Sequence, residues 1–125
     1  MDENEISKVI VNTAFEIHST LGPGLLESVY EEIMYLELLE EGLYVEKQKG
    51  IPVIWNDKKL EIGFLADLII ENKVIIELKS IELVAPVHKK QLLTNLKLTN
   101  LKLGLLINFN ESLIKNGITR IVNNL

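Results

Sequence analysis

There is no cysteine anywhere in the chain, which removes disulfides, thiolate metal sites and a cysteine nucleophile together. Histidine occurs only as His18 and His88, with no second imidazole at ligand spacing, so a zinc site has no support. No apolar run approaches the roughly 18 residues that span a bilayer, and no membrane association is expected. The opening Met1-Asp2-Glu3-Asn4-Glu5 is acidic, the opposite of a secretory or organellar leader. A cytoplasmic location is therefore the expectation. Ser28, Ser80 and Ser112 have no nucleophile-elbow setting, and Gly22-Pro23-Gly24 lacks the spacing of a phosphate loop.

A surplus of positive charge is also missing, because the formal net charge is −5. That argues against bulk affinity for nucleic acid, but the charge is unevenly spread. Residues 1–85 sum to −10 and residues 86–125 to +5. The basic third carries Lys89, Lys90, Lys97, Lys102, Lys115 and Arg120 against Glu111 alone. Such an asymmetry permits nucleic-acid binding, although solvated faces produce it as well.

The chain's 125 residues suffice for one domain with a real core, read here as residues 1–125 without linker or repeat. Ile6, Val9, Ile10, Ala14, Ile17 and Leu21 predict a helix over about 3–20. Gly and Pro then break the chain. A second helix follows, with Leu25, Leu26, Val29, Tyr30, Ile33, Met34 and Leu38 on its apolar side. Glu27 and Glu31 lie one turn apart near its start. From Leu43 the period becomes two. "YVEKQKG", "IPVIWND", "KLEIGFLADLII" and "KVIIELKS" predict four strands. "VHKKQLLTNLKLTN" predicts a helix, "KLGLLINF" a strand buried on both faces, and "GITRIVN" a last strand. The reading is α/β, a mixed domain with an antiparallel meander and a late crossover. Trp55 reads as a packing residue on a strand, with partner contact as the alternative.

Within the hairpin "FLADLIIENKVIIELKS", Asp67, Glu77 and Lys79 interrupt strands that ought to be buried, where charges are costly unless paired or bound to a metal. Alternation puts Glu77 and Lys79 on one side and Val74, Ile76 and Leu78 on the other, and groups Asp67 with Leu65 and Ile69. A three-residue loop, Glu71-Asn72-Lys73, pairs Ile70 with Val74 and sets Asp67 opposite Glu77; a two-residue loop turns Asp67 away. Opposed carboxylates repel, and a hard divalent cation relieves this. The competing explanation is a plain salt bridge from Lys79 to Asp67 or Glu77.

Asp67, nine intervening residues, and then Glu77-Leu78-Lys79 resemble the PD-(D/E)xK nuclease signature. Joined to "GLLESVY" upstream and "HKKQLLTNLKL…GLLINF" downstream, they resemble the GxxExxY family of that superfamily over about Phe15 to Asn123. The resemblance implies a restriction-endonuclease-like core of helix, meander of three to four strands, helix and strand, with an extra N-terminal helix. It implies Mg²⁺ or Mn²⁺ held by Asp67, Glu77, the Leu78 backbone carbonyl and Glu27, with Lys79 as the catalytic lysine beside Asp67 and Glu77. Gln91, His88 and Tyr30 would support the site or its substrate. Each also has a simpler role: exposed helix residue, helix cap and core aromatic, respectively. The implied activity is hydrolysis of phosphodiester bonds in nucleic acid. The alternative is an inactive nuclease-fold module that binds nucleic acid or a protein. Two positions depart from the family pattern: Leu65 stands where Arg is usual and Asn95 where Tyr is usual. Both changes remove substrate contacts rather than metal ligands. Homodimerisation is left open.

Overall fold

The computed structural model covers residues 1–125. Helix α1 (Glu3–Leu21) begins at Asp2, whose carboxylate accepts the Glu5 N–H at 2.8 Å while Glu5 accepts the Asp2 N–H at 3.1 Å. This reciprocal pair satisfies donors that a helix start leaves free. α2 (Glu27–Glu40) lies beside it. Ile6, Ile10, Ala14 and Ile17 of α1 and Tyr30, Met34 and Leu38 of α2 are buried together, as their spacing predicts. Leu21, Leu25, Leu26 and Val29 of the expected apolar sides are instead exposed around the turn between the helices. α3 (Pro86–Thr99) starts on a proline, which fits a first turn that needs no N–H. It buries Leu92 and Leu96.

Five strands form one sheet in the order β1 (Val45–Trp55), β2 (Lys58–Ile70), β3 (Val74–Lys79), β4 (Leu103–Asn108), β5 (Ile118–Val122). β1, β2 and β3 are an antiparallel meander; α3 crosses over so that β4 runs parallel to β3, and β5 returns antiparallel. The sheet has a core on each side. Leu68, Ile70, Val74, Ile76 and Leu78 pack with α1 and α2, while Ala66, Ile69, Ile75 and Leu106 pack with α3. Every residue of β4 is buried, as its unbroken apolar run requires.

One expectation fails. "YVEKQKG" and "IPVIWND" are not two strands but the single long β1. Pro52 looks like a break in sequence, yet β1 is the sheet edge, where a missing N–H costs no ladder bond. Pro52 opposes Gly63, and the register shifts between Pro52 and Ile54. Gly63 has no substitute there, because a Cβ would come within 2.2 Å of the Ile51 carbonyl oxygen.

Candidate metal centre

The β2–β3 turn decides what the charged residues can do. Ile70 pairs with Val74, leaving Glu71, Asn72 and Lys73 as the loop. Glu71 and Asn72 both take positive φ, 53° and 54°, and the Lys73 N–H closes on the Ile70 carbonyl at 2.9 Å. This is the three-residue loop that brings Asp67 towards Glu77. The ladder stops at Leu68–Ile76, one step short of these two. There the strands part, and Asp67 Oδ2 accepts the Leu78 N–H at 2.9 Å in place of a ladder bond.

Asp67 does not follow the alternation that would group it with Ile69. Ala66 and Ile69, three residues apart, both pack on the α3 side, so strict alternation is lost between them. Asp67 instead lines a cleft of about 220 Å³ with Glu27, Ser28 and Glu31 of α2, Gln48 of β1 and Leu78. Facing it, Gln48 adopts a left-handed backbone with φ of 52°. Its amide donates to Glu31 at 2.6 Å and approaches Asp67 at 3.5 Å. The local bend, rather than loop parity alone, sets the direction of Asp67.

Glu77 follows Ile75 along β3 and is half-buried. Burial first, and then the negative charge of Asp67, push its carboxyl up to about 8; the Lys79 ammonium pulls the other way. Glu77 Oε1 is buried without a hydrogen-bond partner, a costly state for a carboxylate oxygen. The simple salt bridge does not form. The two ion pairs in the molecule are Lys47–Glu32 and Lys49–Glu46, and neither involves Lys79. On α2, Glu31 is also raised, by burial foremost and by Asp67 in part, against the lowering effect of Gln48.

An orphaned buried oxygen, two neighbouring carboxylates and an adjacent unpaired lysine fit a hard cation. No three Asp, Glu or His side chains enclose an ion unaided; Mg²⁺ characteristically completes its shell with waters and substrate oxygens. Glu27 is exposed at the first position of α2 and shares the cleft with Asp67. The other candidates are spread more widely. His88 Nδ1 accepts the Ala85 N–H at 3.0 Å and caps α3. Gln91 is exposed on α3. Tyr30 is fully buried, stacked on Phe109 with ring centroids 4.3 Å apart. Its hydroxyl donates to the Gly22 carbonyl at 2.5 Å and accepts the Leu25 N–H at 3.2 Å, fixing the loop that leads into Glu27. His18 is buried, with Nε2 donating to the Glu111 carbonyl at 2.7 Å.

The model of the PD-(D/E)XK nuclease superfamily matches residues 4–121. The chain belongs to this superfamily. No curated protein and no solved structure matches it. Three helices and a five-stranded mixed sheet are consistent with the superfamily fold.

Three residues of this superfamily member escape a reading of its sequence. Glu31 was visible only as a residue one turn from Glu27, and Gln48 carries no local signal for its left-handed backbone. Asn108 is fully buried at the end of β4, opposite Lys79. Its side chain accepts the Ile81 N–H at 3.1 Å and the Asn110 N–H at 3.3 Å, and donates to the Ile81 carbonyl at 2.9 Å. Asn108 thereby holds the chain just beyond Lys79.

Proposed function

We propose that this chain is a nuclease of the GxxExxY type, using Mg²⁺ or Mn²⁺ to hydrolyse phosphodiester bonds of nucleic acid. The observation that carries the reading is the buried, unpartnered Glu77 oxygen beside Asp67, with Lys79 two residues along the same strand. Asp67, Glu77 and the Leu78 carbonyl would hold the cation, with Glu27 contributing from α2. A bound divalent ion supplies Lewis acidity towards a phosphoryl oxygen and lowers the pKa of water. Lys79, free of any ion pair, orients the attacking water or stabilises charge developing on phosphorus. Asn108 and Tyr30 position the two segments that flank the centre. Gln91 and His88, on the first turns of α3, support the approaching substrate.

The test is cleavage of single-stranded DNA, duplex DNA and RNA with Mg²⁺ or Mn²⁺, for wild type and Lys79→Ala. Wild type should cleave at least one of them, and Lys79→Ala should lose that activity while unfolding at an unchanged temperature. Failure of wild type on every substrate removes the catalytic reading. Leu65 and Asn95 favour one other outcome. An exposed leucine beside the metal ligands cannot contact phosphate as an arginine does, and asparagine cannot stack on a base as tyrosine does. An inactive module would bind nucleic acid with a salt-dependent affinity and cleave none of it.

A further inference from the structure

Gln48 is the one non-glycine residue inside a strand that takes a positive φ, at 52°. Asn56, Asp57, Glu71, Asn72, Asn100 and Asn124 also do so, but they lie in turns, at the end of α3 or past β5. Glutamine has no intrinsic preference for this conformation, and an L residue held there is strained. Gln48 is exposed, so burial of its own side chain does not offset the strain. Residues held in such backbone conformations cluster at functional sites.

The effect of that backbone is visible on both strands. Lys47 pairs with Leu68 and Lys49 with Ala66, so Gln48 and Asp67 face each other at the step between, which the ladder skips. On one side of the step, Val45, Leu68 and Ile70 pack with α1 and α2. On the other, Ile51, Phe64 and Ala66 pack with α3. Val45 and Ile51 are an even number of residues apart, as are Ala66 and Leu68, a spacing that keeps side chains on one face of a regular strand. Both strands therefore exchange faces at the Gln48–Asp67 step. Irregular steps of this kind re-aim side chains beside active sites, and here they turn Gln48 and Asp67 together into the cleft of Glu27 and Glu31. Gln48 Nε2 donates to Glu31 Oε1 at 2.6 Å and stands 3.5 Å from Asp67 Oδ1. Asp67 Oδ2 accepts the Leu78 N–H at 2.9 Å. One oxygen of Asp67 is thus fixed from β3, and the other is faced by a donor anchored on α2.

We propose that Gln48 is a positioning residue of the metal centre. Its left-handed backbone turns Asp67 into the cleft, and its amide, anchored on Glu31, sets the orientation in which Asp67 meets a divalent cation. This role rests on the proposed function of Asp67 as a metal ligand. The test is Mn²⁺ binding to the full chain by titration calorimetry, beside urea melts without metal, for wild type, Gln48→Gly, Gln48→Leu and Asp67→Ala. Glycine takes a positive φ freely, so Gln48→Gly should unfold at a urea concentration no lower than wild type. It should nevertheless bind Mn²⁺ about 10- to 100-fold more weakly, the usual loss when a partner that orients a metal ligand is removed. Gln48→Leu keeps the strain and loses the amide, so it should bind as weakly as Gln48→Gly and unfold earlier. Wild-type Mn²⁺ affinity in either Gln48 variant, with affinity lost in Asp67→Ala, overturns the role of Gln48 alone. Unfolding of Gln48→Gly well below wild type would make Gln48 a residue of the fold and overturns it equally. A wild type that binds no Mn²⁺, or an Asp67→Ala that binds it as well as wild type, removes the metal centre itself and the role of Gln48 with it.

Discussion

The two sides of the sheet carry opposite charge. α2 contains five glutamates and no lysine or arginine, while α3 contains three lysines and no acid. Glu31 and Glu27 of α2 line the cleft of Asp67. On α3, Lys90, Thr94 and Lys97 recur at i, i+4 and i+7, exposed on the side away from Leu92 and Leu96. None of these lysines is in an ion pair. A chain of net charge −5 can therefore offer carboxylates to a cation and ammonium groups to phosphate, provided each keeps to its own side. Charge placement, rather than total charge, makes an acidic protein compatible with nucleic acid.

The comparison breaks most severely at Asp67, where the two sides meet. Asp67→Ala removes one of the carboxylates proposed to hold the metal and leaves the Leu78 N–H without its acceptor. Metal-dependent cleavage should fall by ~100-fold or more, the scale of losing a group that stabilises transition-state charge. The Mg²⁺ concentration for half-maximal activity should rise as well. Equal activity and unchanged metal dependence in this variant would remove Asp67 from the centre.

A second break comes from pH. The Glu77 carboxyl is raised to about 8 from an ordinary value of 4.5, so between these limits the folded protein holds a proton that the unfolded chain releases. Stability without metal should therefore be greatest at the acid end of this range and fall as pH rises through about 8. The loss is on the order of a few kcal/mol. Urea melts across this range check it. Glu77→Gln should flatten the decline, because the amide has no proton to lose. Adding Mg²⁺ above the midpoint should restore stability to wild type, since the cation takes the proton's place, and should leave Glu77→Gln nearly unaffected.

Much of this arrangement was legible because it rests on periodicity. The apolar stripes of α1 and α2 and the unbroken run of β4 follow from spacing alone, whereas spacing leaves a two-residue and a three-residue β2–β3 loop both open until the Ile70–Val74 pair is seen. What escaped depends on where an element sits. Pro52 signals a break unless its strand is known to be an edge. The bend at Asp67 faces Gln48, a residue with no intrinsic preference for a left-handed backbone. Asn108 ends an apolar strand in sequence, and its three hydrogen bonds appear only once the chain beyond Lys79 folds back. The acid–base contrast between α2 and α3 was visible as a drift in charge along the chain. Only the sheet between them turns that drift into two opposed sides.

Asn108 tests how firmly the edge of the centre is held. Asn108→Ala strands the Ile81 and Asn110 backbone groups that it now satisfies. It should cost about 1–3 kcal/mol, the usual penalty for buried polar groups left unpaired. Activity of the folded fraction should fall mainly in kcat, with KM little changed, because Asn108 supports Lys79 and touches no substrate. Asn108→Asp keeps the acceptor for Ile81 and Asn110 but buries a carboxylate whose second oxygen faces the Ile81 carbonyl, so at neutral pH it should be no better tolerated than Asn108→Ala.

The smallest expected effect belongs to α3 and sharpens the comparison most directly. If phosphates lie against α3, each lysine there neutralises one of them and releases its counterion. Replacing Lys90 or Lys97 by Ala should then lower the salt dependence of binding by about 0.7 to 0.9 in the slope of log K against log salt. Both variants should bind single-stranded and duplex DNA more weakly by a similar factor, because phosphate contacts carry no base information. Measured with Lys79→Ala as the background, the titration reads binding without cleavage. Glu37→Ala on α2 is the matched control: an exposed glutamate outside the metal cleft, whose removal should leave the slope alone. Equal slopes for Lys90→Ala and wild type would detach α3 from the nucleic acid. An altered slope for Glu37→Ala would show that the two sides are not electrostatically separate.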